Sequence, residues 1–267
     1  MRLQDKVVVV TASTRGIGLA IVEACAKEGA IVYMAARNLE KAQAIADRLN
    51  ENGGRVRTVY NDASKQETHS SMIADVVADA GRIDVLVNNF GSTDVSRDRD
   101  FLHTNYSDFK EILDLNLASV YLTSQAAASE MAKQGGGSII NISSIGGQIP
   151  DVARISYAVA KDAIIYLSKN MAFQLGRANV RVNVVCPGQT ATDAVKDNMP
   201  QHFQEIFTRH TPIKRMGLPE ENAATVVHLA SDESAYTTGQ VIAVSGGFGL
   251  GTPVYADLID FQAQKQK

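Results

Sequence analysis

Tryptophan is absent from the 267 residues, cysteine occurs twice and proline six times. Cys25 and Cys186 stand far apart, with no CxxC pair and no histidine cluster beside them. That spacing excludes a disulfide framework and suggests no thiolate metal site, so no metal is expected and a reducing, cytoplasmic setting fits best. Long apolar runs are lacking too. The N-terminal stretch MRLQDKVVVVTASTRGIG holds only a four-residue valine run, too short for a signal peptide or a membrane span. Charge of one sign is equally scarce: 26 basic side chains face 29 acidic ones, for a net charge of −3. With no basic block, little draws the chain to nucleic acid.

What is present is alternation. Short, mostly β-branched runs at Lys6–Thr11, Ala30–Ala35, Val56–Tyr60, Ile83–Val87, Ser138–Ile142, Val180–Val185 and Gln240–Val244 read as buried parallel strands. Helix-like segments lie between them: Gly18–Glu28, Asn38–Asn50, Ser70–Ala80, Phe109–Lys133, Ile155–Leu175 and Glu220–Ala230. The pattern predicts an α/β fold, a Rossmann-like, doubly wound, seven-stranded parallel sheet with helices on both faces. No Pro-, Gly- or Ser-rich linker divides the chain, so residues 1–267 read as one domain. The longest irregular parts fall at Gly91–Ser107, Ile145–Arg154, Gly188–Arg215 and the tail from Gly246. Three of them follow a strand's carboxyl end, the edge where such sheets bind ligands.

The first strand runs directly into Thr11-Ala12-Ser13-Thr14-Arg15-Gly16-Ile17-Gly18 and then a helix. Gly16 and Gly18 let the backbone turn sharply and approach a pyrophosphate at the positive helix end. After the second strand, where an NAD site normally carries Asp or Glu, stands Ala35-Ala36-Arg37-Asn38. Without a carboxylate there, and with Arg15 and Arg37 able to grip a 2′-phosphate, NADP(H) is the expected cofactor. The plainer reading beside it is that both arginines are solvated surface charges. Asp62 suits either the adenine amino group or a helix N-cap.

Further motifs follow in order: Asn88-Asn89-Phe90-Gly91, Ser144, Tyr157-Ala158-Val159-Ala160-Lys161 and Pro187-Gly188. Together with the glycine loop they resemble the short-chain dehydrogenase/reductase family, over about residues 4–250. Departures are Ala12 for the family's first glycine and Phe90 where its NNAG motif carries alanine. The resemblance implies Tyr157 as general acid/base, Lys161 as its partner, Ser144 as anchor of the substrate oxygen and Asn116 as holder of a proton-relay water. Tyr157 and Lys161, at i and i+4, share a helix face. There the ammonium is expected to pull the phenol down from about 10 towards neutrality. Taken singly, each has a plainer reading: an exposed Tyr/Lys pair, a strand-end serine turn, and an asparagine satisfied by backbone.

For the cofactor, the resemblance implies contacts from Thr11, Ser13, Thr14, Arg15, Gly16, Ile17 and Gly18 of the loop. Arg37, Asn38, Asp62 and Ala63 follow the second and third strands. Asn89, Gly91, Tyr157 and Lys161 lie nearer the reacting end, with Pro187, Gly188, Thr190 and Thr192 after the sixth strand. Within the family, segments such as LVNNFGS, IGGQIPDVARISYAVAK, HTPIKRMGLPEE and VSGGFGLGTPVYAD resemble bacterial hydroxysteroid dehydrogenases acting on bile acids, the NADP-dependent 7α-specific ones above all. The implied substrate is thus a bile acid or another steroid alcohol, met by Ser144, Gly146, Tyr157, Gln189 and Met199. A lid over about 189–215 offers Val195, Met199, Phe203 and Phe207, and a tail over about 248–267 closes the pocket or crosses to another subunit. These apolar residues could also simply pack against the fold or a neighbour. The 12α- and 3α-specific dehydrogenases, a 3-oxoacyl thioester reductase and an NADP(H)-binding redox sensor remain alternatives. A homotetramer is the family expectation.

Overall fold

The computed structural model describes residues 1–193, 195 and 199–265. Ala194, Lys196, Asp197 and Asn198 of the expected lid, and Gln266 and Lys267 of the tail, lie outside the described residues. The chain runs β1 (Val7–Thr11), α1 (Gly16–Lys27), β2 (Ile31–Ala36), α2 (Leu39–Glu51), β3 (Arg55–Tyr60), α3 (Glu67–Ala80), β4 (Val85–Asn88), α4 (Tyr106–Lys133) and β5 (Gly137–Ile142). It continues through α5 (Ile155–Leu175), β6 (Val180–Pro187), α6 (Gln201–Arg209), α7 (Pro219–Ala230), β7 (Val241–Val244) and α8 (Tyr255–Lys265).

The strands form one sheet in the order β3-β2-β1-β4-β5-β6-β7, parallel throughout. The order reverses between β1 and β4. Because the strands are parallel, their carboxyl ends all lie at one edge, with the crevice of the switch point beside the loop after β1. β1 explains how valine runs build this sheet. Its successive side chains point to opposite faces, so Val8 and Val10 join one core cluster and Val7 and Val9 the other. The first cluster packs the sheet against Ile21, Val22 and Cys25 of α1 and Val226 and Leu229 of α7. The second packs it against Met72 and Val76 of α3, Ala127 and Met131 of α4 and Ala172 of α5. Helices thus cover both faces, as expected.

Differences from the sequence reading lie at helix starts and in the loops. α3 begins at Glu67 rather than Ser70, because Thr68 turns inward and its hydroxyl reaches the Lys65 and Asp62 carbonyls at 2.7 and 2.9 Å. The segment after β6, read as irregular, contains α6, none of whose residues is buried. The tail contains α8, whose Asp257 and Asp260 lie 2.6 and 2.9 Å from Arg209 of α6. No helix among the described residues is long and apolar enough to cross a membrane.

Candidate active site

The loop after β1 is held by its own hydroxyls. Thr11 Oγ1 accepts from the Asn89 and Phe90 amides at 2.9 and 3.3 Å, joining β1 to β4, and the buried Ser13 hydroxyl reaches the Ala35 carbonyl at 3.4 Å. Those two side chains serve the scaffold, whereas Thr14 is half-buried and Arg15 exposed. Gly16 has φ +56°, and a side chain on it would meet Thr192 Cγ2 at 3.2 Å, so the start of the expected lid sits over the loop. At Gly18 a Cβ would come within 2.5 Å of Asn89 Nδ2 and 2.6 Å of the Ala12 carbonyl. Asn89 Nδ2 itself donates to that carbonyl at 3.1 Å. α1 then starts with no side-chain cap and no acidic residue in its first turn. Bare amides at a helix N-terminus, approached through glycines, suit a pyrophosphate. Ile17 turns its side chain to the core, leaving only its backbone for such a contact.

Beyond β2, the Asn38 side chain accepts from the Lys41 amide at 2.8 Å and caps α2. Arg37 is exposed, and neither it nor Arg15 forms an ion pair among the described residues. Asp62 accepts from the Ser64 hydroxyl and amide at 2.8 and 3.1 Å, an Asx-type turn; the cap position of α3 is Gln66, so Asp62 is not the helix N-cap weighed for it. Burial acts to raise its carboxyl, but the Ser64 bonds and the nearby Arg37 charge outweigh this and hold it below the usual range. Ala63 follows at the rim, half-buried.

On the other side of the switch point, α5 carries Tyr157 and Lys161. Lys161 is 2% exposed, and its ammonium donates to the Ile142 and Phe90 carbonyls at 2.9 and 3.4 Å. A Cβ at Gly91 would lie 2.8 Å from Lys161 Nζ, so any side chain there would displace the ammonium. Burial lowers Lys161 to about 8. The Tyr157 ring centroid lies 5.5 Å from Lys161 Nζ and 5.6 Å from the Arg154 guanidinium carbon. Burial nevertheless raises the phenol above its ordinary value, against the facing Ser144 hydroxyl and the Arg154 charge. The expected downward pull by Lys161 is not seen: desolvation of the buried phenol is the largest influence, and the opposing ones come from Ser144 and Arg154. Ser144 Oγ accepts from the Gly146 amide at 3.1 Å. Behind it, Ser143 Oγ donates to the Lys161 carbonyl at 2.7 Å, and a Cβ at Gly147 would strike the Lys161 backbone at 2.7 Å. These contacts press the end of β5 onto α5, bringing Ser144 to Tyr157.

Asn116 is fully buried. Its Nδ2 donates to the Ser92 and Ile112 carbonyls at 2.8 and 2.7 Å, and its Oδ1 accepts from the Ser92 amide at 3.0 Å. That is the backbone-satisfied arrangement set beside its water-holding role. Thr190 is turned inward, its hydroxyl on the Gly188 carbonyl at 3.1 Å. Gly188, after Pro187, packs against Ser245, where a Cβ would come within 2.7 Å. Gln189 Nε2 lies 3.0 Å from Met199 Sδ, which joins two of the expected substrate residues. Among the described residues no group of three His, Cys, Asp or Glu could hold a metal.

A family model described as enoyl-(acyl carrier protein) reductase matches residues 11–249. The chain belongs to the short-chain dehydrogenase/reductase family. It is 47% identical over 256 residues to a 7α-hydroxysteroid dehydrogenase of Clostridium sardiniense, covering 96% of this chain and 98% of that one. With the enzyme of that name from Paraclostridium sordellii it shares 42% over 259 residues, 97% of each chain. A 3-oxoacyl-[acyl-carrier-protein] reductase of Chlamydia trachomatis is 37% identical over 246 residues, 92% of this chain and 98% of the relative. A solved 7α-hydroxysteroid dehydrogenase complexed with NADH and 7-oxo glycochenodeoxycholic acid superposes with TM-score 0.87 at 33% identity, covering 92% and 95% of the two chains.

In this short-chain dehydrogenase/reductase the two departures differ in consequence. Ala12 occupies φ +50°, a left-handed conformation that favours the glycine it replaces. Phe90 contributes its carbonyl to Lys161, a backbone contact that any residue supplies. Sequence reasoning missed Asp98, 1% exposed, whose carboxylate accepts from the Ser156 and Tyr157 amides at 2.8 and 3.0 Å. In the sequence it stands in SRDRDF and reads as a surface charge.

Proposed function

We propose that this oxidoreductase uses NADP(H) to interconvert a 7α-hydroxyl and a 7-oxo group on bile acids. The observation that carries the reading is the 47% identity to a 7α-hydroxysteroid dehydrogenase over 96% of the chain. The preference for NADP(H) is supported by exposed Arg37 and by the absence of a carboxylate from Ala35-Ala36-Arg37-Asn38. Gly16, Ile17 and Gly18 would take the pyrophosphate on their amides, and Lys161 the nicotinamide ribose. When bound, the cofactor supplies the hydride acceptor.

In this reading the chain's own residues handle the oxygen. Ser144 holds the steroid hydroxyl, and Tyr157 in its phenolate form accepts that proton. The buried ammonium of Lys161 and the Arg154 guanidinium favour the phenolate, and they act more strongly once the site excludes water. In the reverse direction the phenol returns the proton to the 7-oxo oxygen. Asn116 would order the route to water through its backbone. Gly146, Gln189 and Met199 would border the steroid, under a lid over 189–215 and a tail over 248–267. The reading also includes a homotetramer working in the cytoplasm, and exposed Tyr121, Tyr166 and Phe173 on α4 and α5 support an assembly face there.

A second reading, reduction of a 3-oxoacyl thioester, is favoured by the 37% identity to the chlamydial reductase. The test offers NADP⁺ with chenodeoxycholate and deoxycholate separately, and NADPH with a 3-oxoacyl thioester. Turnover of chenodeoxycholate alone is expected. Turnover of deoxycholate alone moves the assignment to C12, and oxidation of NADPH by the thioester alone replaces it with the second reading.

A further inference from the structure

We infer that Asp98 is a positioning residue that sets Tyr157 in place from outside its helix, an inference that rests on Tyr157 being the acid/base group. The first turn of an α-helix leaves amides without partners. In α5 the residue at the cap position, Arg154, has φ +59° and makes no side-chain cap bond. The loop after β4 supplies the partners instead. The Arg99 carbonyl accepts from the Ile155 amide at 3.2 Å, and the two oxygens of Asp98 accept from the Ser156 and Tyr157 amides at 2.8 and 3.0 Å. Thr93 Oγ1 donates to the same Asp98 oxygen as Tyr157, at 2.8 Å.

Three donors on two oxygens demand an acceptor-only group, and a carboxylate is one. Its charge also matches the positive end of the helix. The loop is fixed at its other side to α4, where Arg97 binds Asp108 and Glu111 at 2.6 and 2.5 Å. Asp98 and its loop therefore tie the backbone of Tyr157 to α4, the helix that carries Asn116, while Ser143 ties α5 itself to β5 and Ser144. The separation of phenol and substrate oxygen then depends on a carboxylate almost 60 residues away in sequence.

The test compares wild type with Asp98→Asn, Thr93→Val and Tyr157→Phe in the full chain. Protein labelled with carbon-13 at the tyrosine Cζ reports the ring setting without any substrate, and the Tyr157 signal is the one lost in Tyr157→Phe. Asp98→Asn is expected to shift that signal while the other seven of the eight tyrosines stay in place. It should lower kcat with chenodeoxycholate about 10- to 100-fold, with the KM for NADP⁺ within about twofold of wild type because the glycine loop is untouched. Thr93→Val removes one donor, keeps the carboxylate and covers the case in which Asp98→Asn fails to fold; a smaller shift and loss of the same kind are expected. An unmoved Tyr157 signal in the folded variants overturns the positioning role. Retained turnover in Tyr157→Phe overturns the acid/base reading instead, so the two failures are told apart.

Discussion

Replacing Lys161 with methionine is expected to abolish turnover and yet make the protein more stable near neutral pH. The lysine is 2% exposed, and burial lowers it from 10.5 to about 8. That displacement corresponds to about 3 kcal/mol against the charged form. Methionine of similar length removes the cost but forfeits the bond to the Ile142 carbonyl and the longer one to the Phe90 carbonyl, together about 1–1.5 kcal/mol, and a cation over the Tyr157 ring, about 0.5 kcal/mol. A net gain of about 1–1.5 kcal/mol remains, or about 2–6 °C in Tm for a chain of this size. The pH dependence has a definite sign. Between about 8 and 10.5 the native state binds fewer protons here than the unfolded chain. Wild-type stability from this group is therefore lowest below about 8 and recovers as the pH rises towards 10.5. Thermal and urea melts of both proteins at pH 7 and pH 10 check this. The variant should lead at pH 7 and lose most of its lead at pH 10. A variant less stable at pH 7, or a lead that does not change with pH, refutes the claim that a desolvated ammonium is held at the site.

Other expectations follow from the same geometry. Gly18→Ala pushes a methyl against the Ala12 carbonyl and Asn89; it should cost about 1–3 kcal/mol in a urea melt and raise the KM for NADP⁺ far more than that for the steroid. Arg37→Ala should raise the KM for NADP⁺ while leaving that for NAD⁺ nearly unchanged, and steady-state kinetics with the two cofactors would expose an equal effect on both. Arg209→Ala breaks only exposed pairs to Asp257 and Asp260, so Tm should move by less than about 2 °C. The KM for the steroid should rise, and an unchanged KM would separate the tail from the lid.

The parts of this molecule that were legible in the sequence are those whose cause is local. Val7–Thr11 is a strand because each valine has a core face to fill, and the glycine turn after it follows from what a helix N-terminus offers an anion. Tyr157 and Lys161 are neighbours by helix spacing alone. What escaped depends on partners distant in sequence. Asp98 caps a helix nearly 60 positions on, and nothing within SRDRDF marks it as buried. The raised Tyr157 phenol escaped for a similar reason: spacing predicts the helpful cation, whereas the opposing desolvation depends on the packing of the whole pocket. α6 and α8 were missed because they lie on the surface. Each carries a short apolar stripe, Phe203, Ile206 and Phe207 in α6 and Tyr255, Leu258 and Ile259 in α8, but no residue of α6 is buried and only Ala256 of α8 is, so neither belongs to the alternation of core strands and crossover helices from which the fold is read.

The most direct test of the bile-acid assignment uses chenodeoxycholate carrying deuterium at C7β, incubated with NADP⁺ and either wild type or Tyr157→Phe. Wild type is predicted to give the 7-oxo product with the deuterium recovered in NADPH, and Tyr157→Phe almost none of either. No deuterium in NADPH with wild-type protein, or undiminished transfer in Tyr157→Phe, would contradict it.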